Sequence, residues 1–322
     1  MVLHVPVNFR TKLSYMPSVI TITFSPCIDN NIEVPELVPE KKLSCSAPVL
    51  TPGGGGINVA RVLHRFGKEV VAIYPSGGYT GKYLNDMMNA QRVASFIVST
   101  AQMTRENIIV TESSSCNQYR LGTPPVPLEA TECEQLLAEV ERMVSFQYLI
   151  VSGSFPPEMN LDVMPRLSRL AAKRNARLIV DTKGEPLKQA LLSGVFLIKP
   201  NIGELAALTG RTFLEKNEVE TAAKKLLEEF NCKMITVSMG ESGAMLITKS
   251  MAQTIQAPQV KKMSTVGAGD SMVAGIVAGL IDNYSITDAV KFGVACGTAA
   301  TLKKGSSLCE QEDAIRLFRE MK

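Results

Sequence analysis

Two glycine clusters and three polar groups hold the residue types from which an anion-handling site can be built. Pro52-Gly53-Gly54-Gly55-Gly56 runs straight into a helical pattern whose first turn carries Asn58. Four successive glycines strip side chains from the backbone, and the helix start behind them offers unpaired N–H groups. The second cluster, Thr265-Val266-Gly267-Ala268-Gly269-Asp270-Ser271-Met272, precedes a helix of small residues. Gly267 and Gly269 leave amides free for a transferring phosphoryl group. Asp270 also fits a first helical turn for plain capping reasons, but a cap needs neither glycine.

The other groups are less specific. Lys199-Pro200-Asn201-Ile202-Gly203-Glu204 sets an amide and a carboxylate three apart atop a short helix. Oxygen ligands of that kind, holding waters, suit Mg²⁺, and Asn201 serves equally as an N-cap. Ser238-Met239-Gly240-Glu241-Ser242-Gly243 follows an apolar strand, where open α/β sheets take ligands. Arg105 and Arg120 lie on helix-free segments, either solvated or placed to clamp a phosphate. Neither a P-loop nor a G-x-G-x-x-G after a core strand occurs, which excludes P-loop enzymes and nucleotide-dependent dehydrogenases.

The elements that must position these groups read as α/β. A strand is expected at 19–24, a helix at 57–67 ended by Gly67, a strand at 69–74 and a helix near 82–90. From 131 the alternation is regular: helices 131–143, 159–174, 185–193, 201–209 and 217–230 interleave with strands 147–152, 177–181, 196–199 and 234–238. A hairpin at 244–256 and helices 267–281, 286–302 and 311–320 follow. Strands apolar on both faces predict a mostly parallel sheet between helical layers. Stretches 27–51 and 93–121 lack helices. The prolines of the first suggest short edge strands, and the two together predict one small sheet outside the core, covering a site or joining subunits.

Composition narrows the class. The 322 residues carry 34 Lys+Arg against 31 Asp+Glu, a net +3 with no basic block, so nucleic acid is not expected as a partner. Apolar residues are 45% and charged residues 20%, as in globular proteins. The apolar run Val273–Ile281 falls well short of the ~20 residues a membrane span needs. Seven cysteines without C-x-x-C, and only two histidines, argue against zinc and for a reducing, cytoplasmic setting. Residues 1–15 read as a disordered extension or a misassigned start rather than a leader.

Gly53-Gly-Gly-Gly-Ile-Asn-Val-Ala-Arg61 together with Ser264-Thr-Val-Gly-Ala-Gly-Asp270 resembles the paired motifs of the ribokinase-like carbohydrate kinases of the phosphofructokinase B type. Val151-Ser-Gly-Ser-Phe-Pro-Pro157, Lys199-Pro-Asn-x-x-Glu204 and Val237-Ser-Met-Gly-x-x-Gly243 match between them, in order. The likeness spans Met16 to the C-terminus. The four glycines, Gly267–Met272 and Gly297-Thr-Ala-Ala-Thr-Leu302 are most similar to the branch acting on fructose 6-phosphate in enteric bacteria. Relatives acting on fructose 1-phosphate or tagatose 6-phosphate tend to carry lysine among the glycines.

The resemblance implies a three-layer α/β/α core over residues 16–322, with a β-sheet lid from 27–51 and 93–121 that pairs subunits into a homodimer. It implies ATP-dependent phosphorylation of the 1-hydroxyl of fructose 6-phosphate. The alternatives are a tagatose-6-phosphate kinase, a 1-phosphofructokinase or a non-catalytic sugar-phosphate binder. Asp270 matches the base, with Gly267, Ala268 and Gly269 as the anion hole. Asp29, Gly54, Gly55 and Asn58 match positions that hold sugar hydroxyls; Lys42, Arg105 and Ser154 match those around the existing phosphate. Asn201 and Glu204 match the Mg²⁺ motif, and a monovalent cation would be compatible with the family. Lys199, Ser238, Gly240, Gly243 and Gly297 match the nucleotide side. One departure stands out: where the enteric branch has arginine two residues beyond the lysine matched by Lys42, this chain has Ser44. One lid contact to phosphate is therefore expected to be absent or supplied elsewhere.

Overall fold

The computed structural model describes residues 17–321, so the expectation for residues 1–15 lies outside it. The chain opens with β1 (Val19–Ile22), β2 (Cys27–Val34), β3 (Val49–Gly53), α1 (Gly55–Arg65), β4 (Val70–Ser76) and α2 (Gly78–Ala90). Three strands follow, β5 (Ser95–Ser99), β6 (Arg105–Glu112) and β7 (Gln118–Gly122). Regular alternation then runs through α3 (Ala130–Arg142), β8 (Tyr148–Ser152), α4 (Val163–Lys173), β9 (Arg177–Asp181), α5 (Glu185–Ser193) and β10 (Val195–Ile198). It continues with α6 (Ile202–Leu208), α7 (Val219–Glu229) and β11 (Cys232–Ser238). The hairpin β12 (Ala244–Thr248) and β13 (Ala252–Ile255) leads to α8 (Ala268–Ile281), α9 (Ile286–Thr301) and α10 (Gln311–Glu320).

Nine strands form one sheet in the order β13-β12-β11-β10-β9-β8-β1-β4-β5. All its pairs are parallel except the two made by the hairpin. Strand residues alternate between two cores, because successive side chains point to opposite faces. Val19, Tyr148, Ile150 and Met234 join α1, α2, α8, α9 and α10 on one side. Ile20, Leu149, Val151 and Ile235 join α3 to α7 on the other. The three-layer α/β/α core follows directly. Helices α8 and α9 approach so closely that a Cβ at Gly275 would lie 2.5 Å from Cys296 Sγ, which explains why this hydrophobic pair is built from small residues. Among the described residues no helix is long and apolar enough to cross a membrane.

The second sheet has the order β3-β2-β6-β7, with β2 and β6 parallel and the outer pairs antiparallel. Two expectations change here. Instead of a short edge strand, β2 is an eight-residue interior strand. Within 93–121, Ser95–Ser99 pairs with β4 at the edge of the large sheet, so only β6 and β7 of that stretch enter the small one. A short apolar run looks alike in either sheet; the parallel return through α2 is what lays β5 beside β4. The helix expected at 159–174 begins only at Val163.

Candidate active site

Two helix starts with glycine at the N-cap face each other across the carboxyl ends of the parallel strands, and in α1 Thr23 Oγ1 accepts from Ile57 N at 2.8 Å. Helix α1 begins after Gly54 and α8 after Gly267, and neither N-cap residue supplies a capping hydrogen bond. Helix α9, by contrast, is capped: Ser285 accepts from Asp288 N at 3.0 Å. Gly55 admits nothing larger, since a Cβ there would lie 2.3 Å from Ser152 Oγ and 2.6 Å from Gly153 N. Gly267 sits at φ 74°, in the left-handed region that glycine tolerates. The first backbone bond into α8 runs from Ser271 N to Gly267 O, and Ala268 N reaches back to Thr265 O only at 3.5 Å. The Gly269 and Asp270 amides thus precede the ladder, as an anion hole requires.

Asp270 does not cap its helix. Its Oδ2 accepts from Asn58 Nδ2 at 2.9 Å, which brings the two glycine clusters into one site. Burial pushes the Asp270 carboxyl up to about 6, with Asp181 and then Asp29 adding to the rise while the Asn58 bond and Lys199 oppose it. Lys199 is buried and ion-paired to Asp181 at 3.2 Å. Burial alone would lower its ammonium, but Asp181, with Asp270 and Glu204, leaves it above its usual value. Its Nζ would lie 3.4 Å from a Cβ at Gly269, so the cation stands beside the anion hole. Sequence reasoning missed Asp181; the signal was a carboxylate closing the buried strand Leu178-Ile-Val-Asp181.

The small sheet supplies the facing wall. Period-two alternation and the strand register put Asp29, Arg105, Asn107 and Arg120 on one face. That face meets the core: Arg120 Nη2 donates to Thr265 Oγ1, and Asn31 Nδ2 donates to Ser306 Oγ at 2.8 Å. Asp29 is buried and its Oδ1 accepts from Asn107 Nδ2 at 2.9 Å. Arg105 is tied down through Nε to Ser25 Oγ at 3.0 Å and through Nη1 to Asn107 Oδ1 at 3.0 Å and Thr123 O at 2.9 Å. Asn107, which links Arg105 to Asp29, was also missed. Only strand pairing reveals that it lies beside them.

The remaining candidates divide. Ser154 lies in the turn after β8, next to the Gly153 amide that abuts Gly55. Lys42 and Ser44 are exposed on the irregular connection from β2 to β3, and Lys42 has no hydrogen-bond or ion-pair partner among the described residues. Ser238, Gly240, Gly243 and Gly297 line a single cavity of about 350 Å³ together with Ala268 and Gly269. Thr298 and Thr301, from the Gly297–Leu302 motif, line it too, whereas the wall Ala257 to Val260 had no sequence signal. Asn201 and Glu204 form a reciprocal cap: Glu204 N donates to Asn201 Oδ1 at 2.8 Å, and Asn201 N to Glu204 Oε2 at 2.9 Å. Capping is therefore realised at this motif, with one carboxylate oxygen left over.

Residues 22–313 match the model of the pfkB family carbohydrate kinases. The chain belongs to that family. It is 39% identical over 304 residues to the ATP-dependent 6-phosphofructokinase isozyme 2 of Escherichia coli K12, covering 94% of this chain and 98% of that one. The crystal structure of Escherichia coli phosphofructokinase-2 with substrates and products superposes with a TM-score of 0.89 at 38% identity, over 94% of this chain and 99% of that one. Arabidopsis thaliana ribokinase, solved with ribose and ATP, superposes at 0.71 with 17% identity, over 94% and 99% of the two chains. At that identity the likeness establishes the ribokinase-like fold alone. This pfkB kinase thus joins a cavity lined from β11, α8 and α9 to a carboxylate held between two helix starts.

Proposed function

We propose that this kinase transfers the γ-phosphoryl group of ATP to the 1-hydroxyl of fructose 6-phosphate. The observation that carries the reading is Asp270: a carboxyl raised to about 6, beside an uncapped helix start that opens on the cavity. At pH 7 and above it is ionised and ready to take the hydroxyl proton, while the amides of Gly269 and Asp270 and the Lys199 ammonium oppose charge growing on the phosphoryl oxygens. The cavity takes the nucleotide; Asp29, Asn58 and the glycine backbone take sugar hydroxyls; Arg105 and Ser154 take the existing phosphate. A non-catalytic binder would gain nothing from a destabilised buried carboxylate. Assays with ATP and Mg²⁺ on fructose 6-phosphate, tagatose 6-phosphate, fructose 1-phosphate and fructose test the assignment. The highest kcat/KM belongs to fructose 6-phosphate; a tenfold preference for either other phosphate reassigns the enzyme.

Mg²⁺ fits this donor set as an ion shared with the nucleotide. No three His, Cys, Asp or Glu side chains converge among the described residues, and Mg²⁺ characteristically keeps waters and substrate phosphates rather than an all-protein cage. Asn201 and Glu204 would anchor it through water, and the ion would supply charge neutralisation on the phosphates. Glu204→Gln keeps an oxygen for Asn201 N, so the cap survives with stability within about 0.5 kcal/mol. The Mg²⁺ concentration for half-maximal rate should rise several-fold, and an unchanged titration confines Glu204 to capping.

The outer face of the small sheet supports a homodimer. Ile108, Tyr119 and Leu121 alternate away from the site and are exposed, at 40%, 41% and 57%. A contiguous apolar strip of this kind marks an interaction surface. Leu121→Lys is expected to shift the particle mass in light scattering from two chains to one, and a parent enzyme that is already monomeric overturns the assignment.

A further inference from the structure

We infer that Arg61 is a positioning residue: it sets the sense of the Asn58 amide and so decides which group Asp270 faces. The inference rests on the reading of Asp270 as the base. Arg61 lies one turn beyond Asn58 in α1 and is only 3% exposed. Its Nη1 donates to Pro52 O at 2.7 Å and to Asn58 Oδ1 at 3.2 Å, while Nε donates to Gln91 Oε1 at 2.9 Å. A guanidinium has donors only, so the amide edge turned toward it must be the oxygen. The amide nitrogen is then directed at Asp270 Oδ2. The reversed amide would set N–H against N–H at Arg61 and carbonyl against carboxylate at Asp270, two unmade bonds in a buried place.

The cation is retained at a cost. Burial, with Arg65 adding to it, lowers the guanidinium to about 10, against the pull of Asp29, Asp270 and Glu310. A neutral donor would satisfy the Pro52 carbonyl, but an amide there could accept as well as donate and would leave Asn58 free to turn. With Oδ2 engaged by Asn58, Oδ1 of Asp270 is left for the reacting hydroxyl. The charged and titratable groups around this carboxylate are Asp181 and Lys199 from the ends of β9 and β10, Asp29 and Cys27 from β2, and Arg61 itself from α1.

The test reads the Asp270 carboxyl directly. Protein carrying ¹³C-labelled aspartate is titrated by NMR without substrate, the Asp270 signal being assigned by its loss in Asp270→Asn. Arg61→Met and Asn58→Ala are each expected to move the titration midpoint up by about half a pH unit or more, because each costs the carboxylate its donor. The double variant should move no further than Asn58→Ala alone, and the acid limb of kcat should follow the same order. Additive shifts would mean that Arg61 acts by charge through space, and an unmoved midpoint in Arg61→Met would mean that it only packs; either overturns the proposal. Should Arg61→Met fail to fold, Arg61→Gln carries the same comparison, since its amide fills the space without forcing the orientation. Failure of the sugar-phosphate assays would instead count against the proposed reaction and leave this titration to be read on its own.

Discussion

Asp270→Asn is expected to cut kcat by about 10²-fold or more while leaving substrate KM near its parent value, and to raise the melting temperature at pH 7 and above. The first effect is the usual scale for losing a general base. The second follows from linkage. A carboxyl raised to about 6 holds its proton more tightly in the folded state than in the unfolded chain. Ionising it therefore opposes folding progressively as pH climbs from about 4 to about 6, and by a constant amount above that. The side chain keeps some access to the cavity, so we expect a gain of about 2 kcal/mol rather than the full ~3 kcal/mol that the displacement converts to. The gain should vanish below about pH 4, where parent and variant are both neutral. Denaturation and steady-state rates measured across pH 4–8 check both halves. Near-parental kcat with an intact fold removes Asp270 from the chemistry; a melting temperature that falls at pH 8 refutes the strained carboxylate.

Arg105→Ala is expected to lower kcat/KM for fructose 6-phosphate by about 10²-fold or more, mainly through KM. In the fold its guanidinium spans Ser25, Asn107 and Thr123, which fixes the fork at the foot of β6 rather than leaving it in solvent. Nη2 also donates to Ser25 O at 3.4 Å, so one guanidinium N–H is left to make a charge-assisted bond to a sugar phosphate. Removal of Arg105 also frees Asn107, the donor to Asp29, so part of the loss should appear with unphosphorylated sugar. With Ser44 unable to supply a cation and Lys42 exposed, Arg105 is expected to carry most of the charge recognition, and Lys42→Ala should cost less. Arg105→Lys restores charge without the fork and should recover only part of the loss. A change below threefold for Arg105→Ala, or a parent enzyme preferring fructose to fructose 6-phosphate, moves the phosphate elsewhere.

Much of this site is legible along the chain because it is built from backbone. The glycines of both clusters mark bare backbone by residue type, and the fold uses it: Ser152 and Gly153 leave no room for a Cβ at Gly55, and Gly267 takes a positive φ. The alternation after residue 131 is equally local, since strands buried on both faces must be covered by the helices between them. The starts of α8 and α9 and the Asn201–Glu204 cap fell where residue type and spacing put them.

What the sequence by itself determined, then, was the α/β class, the helix order and the two glycine-lined helix starts, because each depends on neighbours within a few residues. The tertiary structure alone decided which sheet β5 joins, that β2 is interior, and that Asn107 bridges Arg105 to Asp29. It alone decided that Asp181 and Lys199 close as an ion pair beside Gly269, and that Asn58 turns its nitrogen rather than its oxygen to Asp270. Apart from the Arg105–Asn107 bond, these are pairings between residues separated by one or more whole elements. Strand register and burial set them, and both are properties of the closed fold: neither a period of two nor a motif's spacing states which distant partner completes a hydrogen bond.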